Sequence, residues 1–323
     1  MTLPDTAPSR KPRRLGLYAP FALLAAAIAI WTVIWFSLAA QVAGRLEASR
    51  ADLAKEGYQV DWSARAIGGY PFRLDVTLTG ARLRAASGWG LATPTIKAEA
   101  FAYLPSHWVI VAPVGLDFTP QYGGTVAIRA TALRASLSEA QAHPPRLSVE
   151  GIGLSFATPP GAPPFFITGA DAFHQHTRAG PDDQGGLYLE LDQAHARFPG
   201  LIGRISQGRP VTLIADGVYS HADALKGPTW TAAVRAWSAA GGAMTLRDLR
   251  ITAGQSQADG RGILSVGADG RLAGVLSARL TQIFGRGQTG GSDPQGATIA
   301  KIVFQAGKAR LGPLTLAPAP RIY

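Results

Sequence analysis

The sequence predicts a mainly β protein: one amino-terminal transmembrane helix and short helical stalk, followed by antiparallel sheet. Three observations predict it. Residues 15–40 carry no charged side chain. From residue 58 onward apolar and polar residues alternate in short runs, the period of strands with one buried face. The 38 Gly and 23 Pro among 323 residues favour turns over long helices. Many short strands with one apolar face each mean either a sandwich of two sheets or one long curled sheet.

Residues 1–14 set Arg10, Lys11, Arg13 and Arg14 against Asp5 and read as a basic cytoplasmic tail. The run LGLYAPFALLAAAIAIWTVIWFSLAA, 15–40, exceeds the roughly 20 apolar residues a helix needs to cross about 30 Å of hydrocarbon. Tyr18 stands near its start and Trp31, Trp35 and Phe36 towards its end, where aromatic rings favour the membrane interface. Pro20 falls in the first turns, where a missing N–H costs little. Basic residues ahead of the span keep the amino terminus in the cytoplasm. The bulk of the chain then lies across the inner membrane, in the periplasm of a Gram-negative cell. The alternative is a cleaved signal peptide ending near Ser37-Leu38-Ala39, but the apolar run outlasts the roughly 7–15-residue core of such peptides.

Residues 41–57 read as the stalk. Val42, Leu46, Ser49 and Leu53 share one stripe at helical spacing, charges of both signs cover the remainder, and Gly57 supplies a stop. The first β-rich unit is expected over 58–158. YQVDWSARAI leads into a turn at Gly68-Gly69-Tyr70-Pro71, and Phe72, Leu74, Val76 and Leu78 then alternate with Arg73, Asp75, Thr77 and Thr79. PTIKAEAFAYLP and HWVIVAP read as strands bounded by Pro94, Pro105 and Pro113. GTVAIRATALRASL is a further strand, with a helix over 131–141 as the alternative. In RLSVEGIGLSFATPP the phase of alternation slips, suggesting a bulge at Gly151.

The Pro/Gly run at 159–164 is a linker candidate, and a second β-rich unit is expected over 165–323. Its strands include the Leu187, Leu189, Leu191 alternation, GRPVTLIADGVYS and TWTAAVRAWSA. A hairpin turns at Asp269-Gly270, with Leu272, Gly274, Leu276, Ala278 and Leu280 as its inner row. Residues 285–296 read as a flexible loop, and the end of the chain as strand, turn and strand.

Composition narrows function more than motifs do. There is no Cys, which removes disulfides and thiolate metal sites, and no Asn, which removes N-glycosylation acceptors. The formal net charge of +10 comes without a dense basic run beyond the amino terminus, so no nucleic-acid partner is expected. His174-Gln175-His176 places two imidazoles on one strand face that would suit two metal ligands, but a third would have to come from elsewhere, from Asp171, Asp192 or His195, and an exposed polar strand end explains the pair better. Asp61 and Asp75 flank the first hairpin, and two outward polar residues explain them better than an acid/base pair. No nucleophile elbow, phosphate loop or dinucleotide fingerprint occurs. The expectation is a non-enzyme with no metal and no cofactor.

The run GYPFRLDVTLTGARLR, with Gly69, Tyr70, Pro71, Phe72 and Arg73, followed by WGLATPTIKAEAFAYLPSHWVIVAP, resembles an uncharacterised family of bacterial envelope proteins, domain of unknown function 2125. GKARLGPLTLAPAP near the end is similar to that family's closing strands, and the resemblance spans roughly 40–320. It implies an envelope location and no established activity. A looser likeness, through GILSVGADGRLAGVLSARL, is to AsmA-like envelope proteins; it implies a curled sheet with an apolar groove associated with lipid movement.

These readings converge on a protein held in the inner membrane through 15–40 that binds or moves lipid or another apolar ligand. Its groove candidates are Phe72, Leu74, Val76 and Leu78 in the first unit and Leu272, Leu276 and Leu280 in the second. The alternative is an envelope scaffold whose partner is another protein.

Overall fold

The computed structural model describes residues 15–121, 123–197, 208–227, 230–254, 256–282 and 297–323, with backbone only for 15–17, 280–282 and 297–299. Span and stalk are one uninterrupted helix, α1 (Leu15–Lys55), about 60 Å long at 1.5 Å per residue. No Gly or Pro stands between Pro20 and Gly44 to break it. It ends on two hydrogen bonds that satisfy orphan carbonyls, Tyr58 N–H to Leu53 O and Gly57 N–H to Ala54 O.

All the described strands belong to one antiparallel sheet. The alternative of two separate sheets is therefore not the architecture: with each split strand counted once, the sheet is a meander in which each strand pairs with its neighbours in sequence. Its first strand is split. β1 (Gln59–Asp61) and β2 (Ala64–Gly68) pair with the far and near halves of β3 (Arg73–Arg84). β4 (Gly90–Phe101) follows, then a second split strand, β5 (Leu104–Val111) and β6 (Leu116–Thr119), paired with the two ends of β4. A third split strand, β7 (Val126–Arg129) and β8 (Ala132–Ser138), lies between β6/β5 and β9 (Arg146–Ala157).

Two of these hairpins repeat one device. Gly80 in β3 (φ +61°) faces Ser63 at the β1–β2 break, and Gly153 in β9 (φ +59°) faces Thr131 at the β7–β8 break. Ser63 N–H donates to Thr79 O and Thr131 N–H to Ile152 O, each at 2.8 Å. At both sites the apolar phase changes hands. In β3 it passes from Leu74, Val76 and Leu78 to Ala81 and Leu83; in β9 it passes from Leu147 and Val149 to Leu154 and Phe156. The bulge expected at Gly151 is not there: β9 keeps its register with β10 across residues 151–154 and with β8 up to residue 152, and the phase changes at Gly153, where the backbone takes the left-handed conformation.

Beyond β9 come β10 (Ile167–Ala179), β11 (Gln184–Ala196), β12 (Val211–Ser220), β13 (Met244–Ala253), β14 (Ser256–Val266), β15 (Leu272–Gln282), β16 (Ala297–Gln305), β17 (Lys308–Leu311) and β18 (Leu314–Pro318), each paired with the next. Residues 159–164 connect β9 to β10, and those two strands pair with each other, so the sheet runs on across the Pro/Gly segment. Residues 285–296 lie outside the described residues.

Two expectations need correction, and one alternative is set aside. TWTAAVRAWSA is not a strand: Trp230–Ala239 is a helix, α2, burying Ala233, Val234 and Trp237 at helical spacing. Residues 132–138 take the strand form, not the helical alternative. Pro94 and Pro105 lie inside β4 and β5 instead of bounding them. β4 tolerates Pro94 because its neighbour on that side changes there, from β6 at residues 90–92 to β5 at 97–101.

Buried side chains gather in separate clusters. Leu154, Ala170 and Ala194 meet in the middle of the sheet. Tyr219, Ala222, Val234, Trp237 and Val266 join α2 to its later strands, fixed by Trp237 Nε1–H to Ser220 O at 2.7 Å. Trp35, Leu74 and Ala102 join α1 to its beginning.

Candidate functional site

The first strands place their apolar residues in register. Val76 stands opposite Ala98 and Leu78 opposite Ile96; Ala98 in turn stands opposite Ile110, and Trp108 opposite Leu137. Cross-strand partners share a face of the sheet, so β3, β4, β5 and β8 together present one apolar surface. α1 lies before it with Leu38, Val42, Leu46 and Ser49, spaced by four, four and three residues. Helix and sheet do not close on each other. Between them is a cleft of about 1030 Å³.

Two clamps hold the helix at the ends of this cleft. At the near end Trp35 is only 4 % exposed, packs on Leu74 and Ala102, and donates its indole N–H to Arg73 O at 2.7 Å. Trp31 donates to Pro71 O at 2.9 Å, and Tyr70 shares a 2.8 Å hydrogen bond with Thr32 and meets Trp35 edge-on. The Gly69–Arg73 turn is thus the seat of the helix. At the far end Arg65 binds Glu47 and Ala43 O, while Arg50 binds Asp61 and Val60 O and covers the Trp62 ring. These ion pairs are solvent-exposed and contribute little each; the buried Trp35 indole, with the half-buried Trp31 beside it, dominates.

The lining is mostly apolar, and its polar members are Gln41, Arg45 and Ser49 on the helix, Ser106 and His107 on β5, and Glu139 and Gln141 after β8. Glu139 pairs with Arg146 at 3.6 Å. Among the described residues no carboxylate lies within ion-pair distance of Arg45.

Of the groove candidates, Leu74, Val76 and Leu78 line this cleft. Phe72 does not: it belongs to the turn before β3, is 65 % exposed and is not part of the cleft lining. Alternation places Phe72 with Leu74 only if the strand already runs at residue 72, and it begins at Arg73. Leu272 and Leu276 are half-buried in β15 and are not part of this lining; Leu280 is in β15, and its side chain lies outside those described. The cleft wall contributed by α1 is foreshadowed by the Val42, Leu46, Ser49 stripe, but nothing in the sequence pairs that stripe with β3.

His174 and His176 share a face of β10, with near-parallel rings 6.5 Å apart, and His176 Nδ1 lies 2.8 Å from Ser148 Oγ. No group of three His, Asp or Glu suited to a metal occurs among the described residues. Asp61, in β1 opposite Arg82, and Asp75, near the start of β3, lie far apart along β3 and pair with Arg50 and Arg73.

Fold and cleft together define a class: one helix long and apolar enough to cross a bilayer, continuing as a wall of an apolar cleft on a meandering antiparallel sheet. The chain belongs to the bacterial family described as "Uncharacterized protein conserved in bacteria (DUF2125)", whose model matches residues 35–286. That match takes in Trp35, its seat in the Gly69–Arg73 turn, and the whole sheet side of the cleft. No curated protein and no solved structure matches the chain, and the AsmA-like likeness gains no support from them.

Proposed function

We propose that α1 anchors the protein in the inner membrane with the sheet in the periplasm, and that the cleft takes an acyl chain of a lipid or another apolar ligand, without catalysis. The observation that carries this reading is the cleft itself. Its floor is made of Leu74, Val76, Leu78, Ile96, Ala98 and Ile110, and the facing helix leaves the space before them open. Each methylene sheltered there is worth about 0.8 kcal/mol. The basic residues ahead of the span support the orientation. Arg45, without a carboxylate partner among the described residues, favours an anionic head group.

The test is mass spectrometry of lipid retained by the full-length protein, together with displacement of a fluorescent fatty acid from it. Retained lipid, and displacement that strengthens with acyl length and weakens in Ala98→Trp, support the reading. A protein that carries no lipid and binds no fatty acid refutes it. The scaffold reading is favoured by one different observation: β18 is an edge strand with Leu314 and Leu316 exposed. Crosslinking in cells that recovers one stoichiometric protein through β18 would support that alternative.

A further inference from the structure

The near clamp fixes how far the sheet stands from the apolar segment of α1. From Leu15 to Trp35 the helix rises about 30 Å, the thickness of a hydrocarbon core. A span that begins at Leu15 therefore reaches the opposite boundary at about Trp35. That is the level at which the Gly69–Arg73 turn is hydrogen-bonded to the helix. Val33, Ile34 and Phe36 remain exposed beside the turn, so the lipid-facing side of the helix continues to the same level.

Two turns of the sheet meet there. Arg73 pairs with Phe101, and Ala102 N–H donates to Phe72 O at 2.9 Å, which sets the β2–β3 and β4–β5 turns side by side. Together they expose Tyr70, Phe72, Phe101, Tyr103 and Leu104, with Phe72 and Tyr103 each 65 % exposed. Phe101 and Tyr103 stack at 5.1 Å. The first charges beyond this tip, Arg73, Asp75 and Glu99, pair with one another on adjoining strands. An aromatic tip followed by a charged band is the order of groups found where protein crosses from acyl chains into head groups.

We propose that these two turns insert into the interfacial layer of the same bilayer that α1 crosses, giving the protein a second membrane contact beside its helix. The partner is the lipid surface itself, continuous with the lipid around α1. The proposal rests on the anchoring reading of α1. It sets the near end of the cleft, at Leu38, Pro105 and Trp108, about one helical turn above the hydrocarbon boundary. An acyl chain then enters the cleft from the membrane without crossing open water.

The chain has no Cys, so single cysteines report cleanly. Full-length Ala27→Cys, Phe72→Cys, Tyr103→Cys and Ser87→Cys are labelled with an environment-sensitive fluorophore. Each is reconstituted in vesicles of phosphatidylethanolamine and phosphatidylglycerol carrying nitroxide lipids. Ala27 lies mid-span, and Ser87 lies in the β3–β4 turn, about 36 Å along β3 from the tip. The expected result is quenching of Ala27 by nitroxides deep in the acyl chain, quenching of Phe72 and Tyr103 by nitroxides near the head group, and none of Ser87. All three test sites outside the span are exposed, so the label does not disturb the fold. If Phe72 and Tyr103 behave like Ser87 while Ala27 is quenched, the second contact is refuted and the anchor stands. If Ala27 is not quenched either, the anchor reading fails and the proposal falls with it.

Discussion

Trp35→Ala tests whether the helix is held to the sheet by the buried indole. An aromatic side chain buries about 150–250 Å², worth about 4–6 kcal/mol at 25 cal/mol per Å². The 2.7 Å hydrogen bond to Arg73 O adds about 1 kcal/mol. An undocked Trp35 would rest at the membrane interface instead of in water, which returns part of that gain. The expected net cost is therefore about 3 kcal/mol, the lower end of what aromatic truncation causes. Trp35→Phe keeps most of the burial on Leu74 and Ala102 and loses the donor, at about 1 kcal/mol. The assay is thermal unfolding of the full chain in nanodiscs, followed by the β-sheet circular dichroism band. At about 2–4 °C per kcal/mol, Trp35→Ala lowers Tm by about 6–12 °C and Trp35→Phe by about 2–4 °C. A Trp35→Ala protein that melts with wild type refutes the clamp. So does a Trp35→Phe protein that loses as much as Trp35→Ala.

Other outcomes follow from the same geometry. Gly80→Ala and Gly153→Ala each force a Cβ onto a left-handed backbone, at 2.9 Å from Ser63 Oγ and 2.7 Å from Thr131 Oγ1. Each is expected to cost about 1–2 kcal/mol, and the pair to add, because they sit at separate breaks; denaturant titration checks both. Burial pushes the Tyr219 phenol above its usual value, so its stabilising effect is full below that value and lost as pH rises through the raised one. The unfolding free energy measured above pH 10 should thus fall off less steeply in Tyr219→Phe than in wild type, and equal slopes would contradict the assignment. Arg45→Glu should weaken fatty-acid binding about fivefold, as expected of an exposed charge, and leave a fatty alcohol of equal length unaffected. Equal loss for acid and alcohol would remove Arg45 from any head-group role.

Much of this architecture was legible because the local signals agreed. An uncharged run of helical length gave α1, and the strict alternation of 73–79 gave β3. The stripe of Val42, Leu46 and Ser49 showed which side of the stalk was apolar. What the sequence left out was pairing at a distance. Trp31 and Trp35 read equally well as interfacial aromatics, and nothing local says that their N–H groups reach the carbonyls of Pro71 and Arg73. The helical face therefore had no visible partner, and the cleft between helix and sheet was not foreseen. α2 misled for a different reason. In TWTAAVRAWSA small and large apolar residues satisfy both periods, and only the joint burial of Ala233, Val234 and Trp237 decides for the helix. Phe72 shows how a one-residue uncertainty in a strand's start redirects a side chain from a groove to an exposed tip.

The meander also bears on how such a chain folds. With each split strand counted once, the described strands find their partners among their neighbours in sequence, so the pairings close short loops and cost little chain entropy. Contacts of this kind favour fast folding compared with sheets that bring distant strands together. The sheet can grow from β3 outward while the rest of the chain is still being made, with each finished edge a template for the next strand. The tail comes back from further off: Trp230 binds Ile322 O, and Arg321 pairs with Arg271. Growth by addition leaves β18 as the last edge.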